Sequence, residues 1–300
     1  MRFPTLSTLA LAGVASAATG RLGFSLGVKN ADGTCKGVNE FEADFDALKA
    51  AGAGVVRTYA ASDCNSAALI IPAAKNKGMK VVLGVWPDVE TSFNNDFEAL
   101  KQHVPGNEDV VEAITVGSEA LYRGDMTAHD LLNRINQVKK QFPNIQVGFA
   151  DSWNKFHDGT ADPLLQGGVK YFLVNGFAFW QSVAIDGAEK TYLDDMSQAM
   201  EHIQKFVPDA YIATGETGWP SDGGSSYGKS IAGTANAKKF HDKGVCAALA
   251  WGLDVFYFEA FDEPWKPASV GDNGQAANEQ HWGMFTADRK PKFDVTCPKN

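Results

Sequence analysis

The segment Thr214-Gly-Glu-Thr-Gly-Trp-Pro-Ser221 sets one carboxylate, Glu216, at the end of the apolar run Ala210-Tyr-Ile-Ala-Thr-Gly. Gly215 and Gly218 stand on either side of the acid, and Pro220 stops the extended run. A charged side chain is rarely kept at such a position without a partner or a task. A second segment has the same build, Val111-Glu-Ala-Ile-Thr-Val-Gly-Ser-Glu119. Two acids, each at the C-terminal tip of a buried strand, meet the requirement of glycoside hydrolysis: one proton donor, and one nucleophile or base. A salt bridge or a helix cap is the structural alternative for either acid.

Acids at strand tips need a frame that brings the tips together. Short apolar runs bounded by Gly, Pro or Asp recur along the chain, with helical patterns between them. The expected strands are Leu22–Val28, Val55–Ala60, Lys80–Trp86, Glu112–Gly117, Ile145–Ala150, Tyr171–Phe179, Ala210–Gly215 and Asp254–Phe261. Helical spacing covers Glu40–Ala51, Ser66–Lys77, Asn95–His103, Thr127–Phe142, Glu189–Phe206 and Thr234–Leu249. Thr127, with Asp130 three residues on, reads as an acidic capping pair. Apolar strands separated by helices imply a parallel sheet covered on both faces. Eight such units predict an α/β fold, a closed (β/α)8 TIM barrel whose chemistry sits at the C-terminal ends of its strands. An open doubly wound sheet is the alternative. In the barrel, strands four and seven face one another, so Glu119 and Glu216 reach across one mouth.

The bulk properties agree with a secreted chain. Met1-Arg2 precedes an uncharged run over Leu6–Val14 and the small residues Ala15-Ser-Ala-Ala18. This pattern predicts a secretory signal over residues 1–18, too short in its apolar part to span a bilayer, followed by one domain over 19–300. No other stretch reads as a membrane span, and the last residues lack the hydrophobic tail of a lipid-anchor signal. The net charge of −9 argues against nucleic acid and anionic membranes as partners and suits an uncharged substrate. The four cysteines fit two disulfides in an oxidising compartment. Cys35–Cys64 and Cys246–Cys297 are the expected pairs, because each lies on adjacent elements. The chain has no Asn-x-Ser/Thr sequon, so N-glycosylation is not expected.

Other residues gather around the expected mouth. Tyr59, at the tip of strand two, is placed to hydrogen-bond Glu216. Strand eight carries Glu259, Asp262 and Glu263, with ion pairs to Lys266 or Arg289 as the structural alternative for the last two. Trp86, Trp153, Phe177, Trp180, Trp219, Tyr257 and Trp265 fall at strand ends or in the loops after them. Their flat rings could carry the apolar faces of sugars, and each could equally be core. Three further patterns are rejected. Gly223-Gly-Ser-Ser-Tyr-Gly-Lys-Ser230 matches a phosphate loop, and Gly224-Ser-Ser-Tyr-Gly228 a serine-hydrolase elbow, but neither follows a strand directly. The histidines form no metal-binding motif, so neither metal nor cofactor is expected.

The motifs Val-Gly-Ser-Glu119 and Gly-Glu216-Thr-Gly-Trp-Pro-Ser resemble glycoside hydrolase family 17, the β-1,3-glucanases, and within it the fungal cell-wall branch. Arg57-Thr-Tyr59, Phe258-Glu-Ala-Phe-Asp-Glu263 and Trp282-Gly-Met-Phe285 fit the same pattern, so the resemblance extends over the whole mature chain. It implies a retaining mechanism with Glu119 as acid/base and Glu216 as nucleophile, and carboxyl groups about 5–5.5 Å apart. It implies β-1,3-glucan as substrate, a place in the cell wall, and Glu259 as an auxiliary site residue. Ser118 stands where many relatives on this barrel carry an Asn that binds the sugar 2-hydroxyl. Hydrolysis and glucanosyl transfer share the same covalent intermediate, so both activities are open. The competing class is a non-catalytic glucan-binding wall protein, which would need neither acid. A lyase or aldolase would need a lysine at a strand end, whereas Lys80 and Lys170 stand at strand beginnings.

Overall fold

The computed structural model describes residues 19–222, 226–267 and 278–298. The expected signal segment and the Gly223–Ser225 part of the rejected loop motifs lie outside these residues. The strands are β1 (Leu22–Ser25), β2 (Val55–Arg57), β3 (Lys80–Val85), β4 (Val111–Ser118), β5 (Gln146–Ser152), β6 (Tyr171–Asn175), β7 (Tyr211–Thr217), a short pair β8 (Ser226–Tyr227) and β9 (Ser230–Ile231), and β10 (Val255–Tyr257). All but the short pair close into one parallel barrel in the order β1-β10-β7-β6-β5-β4-β3-β2. The expected closed (β/α)8 barrel is therefore the fold.

Alternation along the strands divides the core into two layers. Val55, Val82, Ala113, Ala150, Tyr171, Leu173, Ala213 and Phe256 point inward and fill the barrel. Their neighbours Val56, Val81, Ile114, Phe149, Phe172 and Val255 point outward and pack beneath the helices. The main helices are α1 (Val38–Ala50), α2 (Ser66–Lys77), α3 (Glu90–His103) and α4 (Ala128–Gln141). After β5 come two short helices that the periodicity did not reveal, α5 (Trp153–His157) and α6 (Asp162–Gln166). Next are α7 (Ile185–Phe206), then α8 (Thr234–Phe240) and α9 (Cys246–Ala250). The expected helix Thr234–Leu249 is one element interrupted, since a π-turn at His241–Val245 separates α8 from α9.

Strand six was expected to run to Phe179 but stops at Asn175. There the Gly176 amide donates to Glu216 O at 2.9 Å, and the chain turns away. A run of apolar residues cannot separate a buried strand from a buried rim loop. Strand eight likewise ends at Tyr257, so Glu259, Asp262 and Glu263 lie in the loop beyond it. Disulfides join Cys35 to Cys64 and Cys246 to Cys297. At the opposite end, Arg21 clasps Glu112 of β4 and Asp254 before β10, each at 2.7 Å, closing the base of the barrel.

Thr127 caps α4 by accepting the Asp130 amide at 3.1 Å. Thr127→Ala is expected to cost about 1 kcal/mol of stability, read as a lowered midpoint in urea with an unchanged slope.

Candidate active site

A register slip at a glycine precedes each acid, turning Glu216 itself into the mouth on β7 and Ser118, the residue before Glu119, on β4. On β7, Ala213 points inward, so plain alternation would turn Glu216 outward toward the helices. Pairing with β6 slips by one residue here, with Val174 opposite Thr214 and Asn175 opposite Glu216, leaving Gly215 as the extra residue. Such a bulge re-aims the side chain that follows. A Cβ at position 215 would lie 2.6 Å from Asn175 Oδ1 and 2.8 Å from Leu173 Cβ, which explains the glycine. On β4, the register with β5 slips between Thr115 and Ser118. Gly117 sits in that slip with φ 87°, so Ser118 faces inward and Glu119 follows at the rim with φ 56°.

Arg57, the inward-facing last residue of β2, organises the floor and is 1% exposed. Its guanidinium donates to Glu216 Oε1 at 3.0 Å, to Gly215 O at 2.9 Å and to Ser118 Oγ at 3.0 Å. Ser118 Oγ in turn donates to Glu216 Oε1 at 3.4 Å. Glu216 is thus a buried carboxylate oriented by an opposite charge. Glu119 has a different setting. Asn175, the last residue of β6, donates to its Oε1 at 3.0 Å. Burial, with the nearby charge of Glu216, pushes Glu119 up to about 7 against the opposing Asn175 hydrogen bond. One carboxyl that keeps its proton near neutrality faces one that is bound to a cation. Environments that set two acids apart in this way mark one as the proton donor and the other as the carboxylate, which serves as nucleophile in a retaining enzyme and as general base in an inverting one.

Tyr59 lies against this floor, the Arg57 guanidinium 4.9 Å from its ring centroid. Its hydroxyl is buried, with no hydrogen bond of ordinary geometry to Glu216. Burial and the Glu216 charge hold the phenol well above its usual range, so it stands ready as a neutral donor. Ser118 touches the nucleophile candidate directly through its hydroxyl and also through Arg57. Trp153 begins α5, while Phe177 and Trp180 are partly exposed on the loop after β6. Phe177 packs edge-on against Trp282 at 5.5 Å, and Trp180 stacks on it at 5.2 Å.

Four expected contributors are corrected. Trp219 and Tyr257, considered as sugar platforms, are 1% and 0% exposed and belong to the core. Trp219 packs against Phe179 and Phe240 with its indole N–H donated to Ile231 O at 2.8 Å. Asp262 pairs with Lys292 at 2.5 Å rather than with Lys266 or Arg289, and Lys292 also donates to Ser221 Oγ at 2.6 Å. Asp262 therefore ties the loop after β7 to the loop after β10. Glu263 is held by Lys266 at 3.0 Å, and the same ammonium binds both oxygens of Glu259 at 3.0 Å. Glu259 thus sits within an ionic cluster, where burial and the Glu263 charge raise it well above the usual carboxylate range.

Sequence reasoning passed over Asn175, Asp151 and Glu279 and gave Arg57 no role. Asn175 and Asp151 end apolar strands as Glu119 and Glu216 do, and that signal was available for both. Glu279 comes from far along the chain to Lys266 at 3.8 Å and adds its charge near Glu216; nothing local marks it. Among the described residues, His241, Cys246 and Cys297 lie close together, but the two cysteines are spent in a disulfide and offer no thiolate to a metal.

Two unlike carboxyls across the C-terminal mouth of a closed parallel barrel define a glycoside hydrolase. The comparisons with known proteins carry this to a family. The sequence profile of the BtgE/BtgC glycoside hydrolase domain matches residues 23–283. The chain is 63% identical over 305 residues to a glucan 1,3-beta-glucosidase of Arthroderma benhamiae, covering 100% of this chain and 99% of that one. It is 40% identical over 314 residues to the glucan 1,3-beta-glucosidase BGL2 of Candida albicans, covering 100% of both. The glycoside hydrolase family 17 β-1,3-glucanosyltransferase of Rhizomucor miehei superposes with a TM-score of 0.79 at 31% identity, covering 92% of this chain and 97% of that one. The chain belongs to the BtgE/BtgC glycoside hydrolases, within glycoside hydrolase family 17.

Proposed function

We propose that this glycosidase cleaves β-1,3-glucan with retention, Glu216 acting as nucleophile and Glu119 as acid/base. The observation that carries the roles of the two acids is the contrast between them: Glu216 bound to Arg57, Glu119 raised to about 7 and bound to Asn175; retention is what the resemblance to family 17 implies. In the first step a Glu216 oxygen bonds to the anomeric carbon as the glycosidic bond breaks. Glu119 gives its proton to the departing oxygen. In the second step Glu119, now a carboxylate, takes a proton from the incoming hydroxyl, that hydroxyl's oxygen bonds to the anomeric carbon, and Glu216 is released. Arg57 and Ser118 hold the nucleophile's Oε1 through both steps, while the Tyr59 hydroxyl lies beside it. Water as acceptor gives hydrolysis and a sugar hydroxyl gives transfer.

The β-1,3-glucan substrate is supported by the activities for which the relatives are named and by a laminaritriose complex of an active-site mutant of the Rhizomucor enzyme. Secretion and a cell-wall location are part of the same proposal; the first rests on the pattern of residues 1–18 and the second on the resemblance to the fungal branch of family 17. Among the described residues no helix is long and apolar enough to cross a membrane. The test is a reduced laminari-oligosaccharide incubated with the protein and followed by mass spectrometry. Products longer than the donor are expected if transfer dominates, and shorter products alone if water resolves the intermediate. No turnover of this donor would overturn the reading.

A further inference from the structure

We infer that Asp151 is a positioning residue for the acid/base: from behind β4 it fastens the backbone turn after Glu119 and sets a negative charge beside that carboxyl. The inference rests on the assignment of Glu119 given above.

Asp151 is the penultimate residue of β5 and is 0% exposed. Its neighbour Phe149 packs outward, so by alternation Asp151 also faces away from the barrel interior, toward the loop that follows β4. Its Oδ2 accepts the Leu121 amide at 2.9 Å; its Oδ1 accepts the amides of Tyr122 at 3.1 Å and Ser152 at 2.9 Å. All three donors are neutral main-chain groups. A carboxylate this deeply buried is costly, and its place is explained by what it holds.

The turn it fastens begins at a strained residue. Glu119 has φ 56°, a left-handed conformation that a non-glycine residue keeps only when its surroundings over-determine it. Ala150 and Asp151 together supply that determination. Ala150 O accepts the Glu119 amide at 3.0 Å, and Asp151 then takes the amides of Leu121 and Tyr122. The turn closes on itself where the Arg123 amide donates to Glu119 O at 3.0 Å. Two consecutive residues of β5 thus template the rim from the acid onward.

The charge acts in the same place. Four groups act on the Glu119 carboxyl besides its burial: Asn175 from β6 by a hydrogen bond, and Glu216 from β7, Asp151 from β5 and Arg123 from its own loop by their charges. Arg123 is itself paired with Asp125 at 2.8 Å. Glu216 and Asp151 favour the protonated acid, and Asn175 and Arg123 oppose it. Burial lifts Asp151 to about 6, below the value of about 7 for Glu119, so Asp151 is ionised as Glu119 begins to lose its proton.

The test is Asp151→Asn in the full chain, with kcat and kcat/KM on a laminari-oligosaccharide measured from pH 4 to 9, beside Glu119→Gln. Asn keeps the shape, loses the charge, and turns a donor toward one of the three amides. The expected result is an alkaline limb of kcat/KM moved to lower pH by about half a unit, from loss of a like charge. A fall in kcat of roughly ten- to a hundredfold with little change in KM is expected from the loosened turn. A limb that stays in place overturns the inference, because a purely structural role lowers the profile without moving it. In the unsubstituted protein, the amide shifts of Leu121 and Tyr122 are expected to titrate together near pH 6. Flat shifts there overturn the inference whether or not the variant folds. If Glu119→Gln keeps the alkaline limb, the assignment of Glu119 falls and the inference with it. If Glu119→Gln abolishes the limb and Asp151→Asn leaves it unmoved, only the role of Asp151 falls.

Discussion

Glu216→Gln is expected to lower turnover of a laminari-oligosaccharide by at least roughly ten-thousandfold, because a carboxamide cannot form the covalent intermediate. The substitution keeps the side-chain volume and one acceptor oxygen for Arg57, whose guanidinium lies 3.0 Å from Glu216 Oε1. It removes the counter-charge of a guanidinium that is 1% exposed. Breaking a buried pair from one side typically costs about 3 kcal/mol or more, so the thermal midpoint should fall as well. Circular dichroism and a thermal scan separate the two effects: a folded variant, measured below its midpoint, must still be inert. Turnover above a tenth of the parent's would remove Glu216 from the nucleophile's role. The same substitution takes away a like charge that helps keep the proton on Glu119. Glu119 is therefore expected to titrate lower in this variant, measurable from carboxyl carbon shifts.

Glu119→Gln should be nearly as severe on a natural linkage and much milder on a glucoside with an activated aryl leaving group, which departs without a proton. Azide, which needs no general base, should then restore turnover by attacking the glycosyl-enzyme and leave a β-glycosyl azide. An α-azide, or no rescue, would count against Glu119 as acid/base. In the parent, kcat/KM is expected to fall on the alkaline side with a midpoint near 7, because only the protonated acid works.

The same carboxyl links pH to stability. Its folded value of about 7 lies above its ordinary 4.5 because burial disfavours the charged form. The fold binds this proton more tightly than the unfolded chain does, so the contribution is complete below pH 4.5 and is lost as pH rises through 7. Its full size is on the order of 3 kcal/mol. Glu119→Gln should therefore gain stability over the parent at pH 8 and not at pH 4. Equal differences at the two pH values would mean that Glu119 is not desolvated in the folded protein.

Much of the site was legible because strand ends in a parallel barrel are marked locally. Apolar runs ending in Gly-Ser-Glu119 and Gly-Glu216 place acids at strand tips, and barrel topology does the rest. Asn175 and Asp151 carry the same mark, yet a neutral amide, or a carboxylate with no glycine next to it, draws less notice than Glu216 between Gly215 and Gly218. The errors have a common cause. Trp219 and Tyr257 look like sugar platforms in the sequence, since an aromatic residue at a strand tip reads alike whether it faces the groove or the core. Burial by Phe179, Phe240 and Phe24 decides which. Asp262 and Glu263 could each have paired with several cations, and only the chain path after β10 selects Lys292 for one and Lys266 for the other.

The amino-acid sequence by itself determined the order of the barrel strands and main helices, the closed barrel, and the two acids across its mouth. These follow from hydrophobic period and chain order, which are local. Which way Glu216 and Ser118, the residue before Glu119, point was decided only by the tertiary structure. Plain alternation turns Ser118 and Glu216 toward the helices, and a one-residue register slip at Gly117 and at Gly215 turns them into the mouth. A slip exists only between paired strands, so it cannot be read from either strand alone. The distinct behaviour of the two carboxyls likewise depends on Arg57 from β2 and Asn175 from β6, groups brought to the acids by barrel closure.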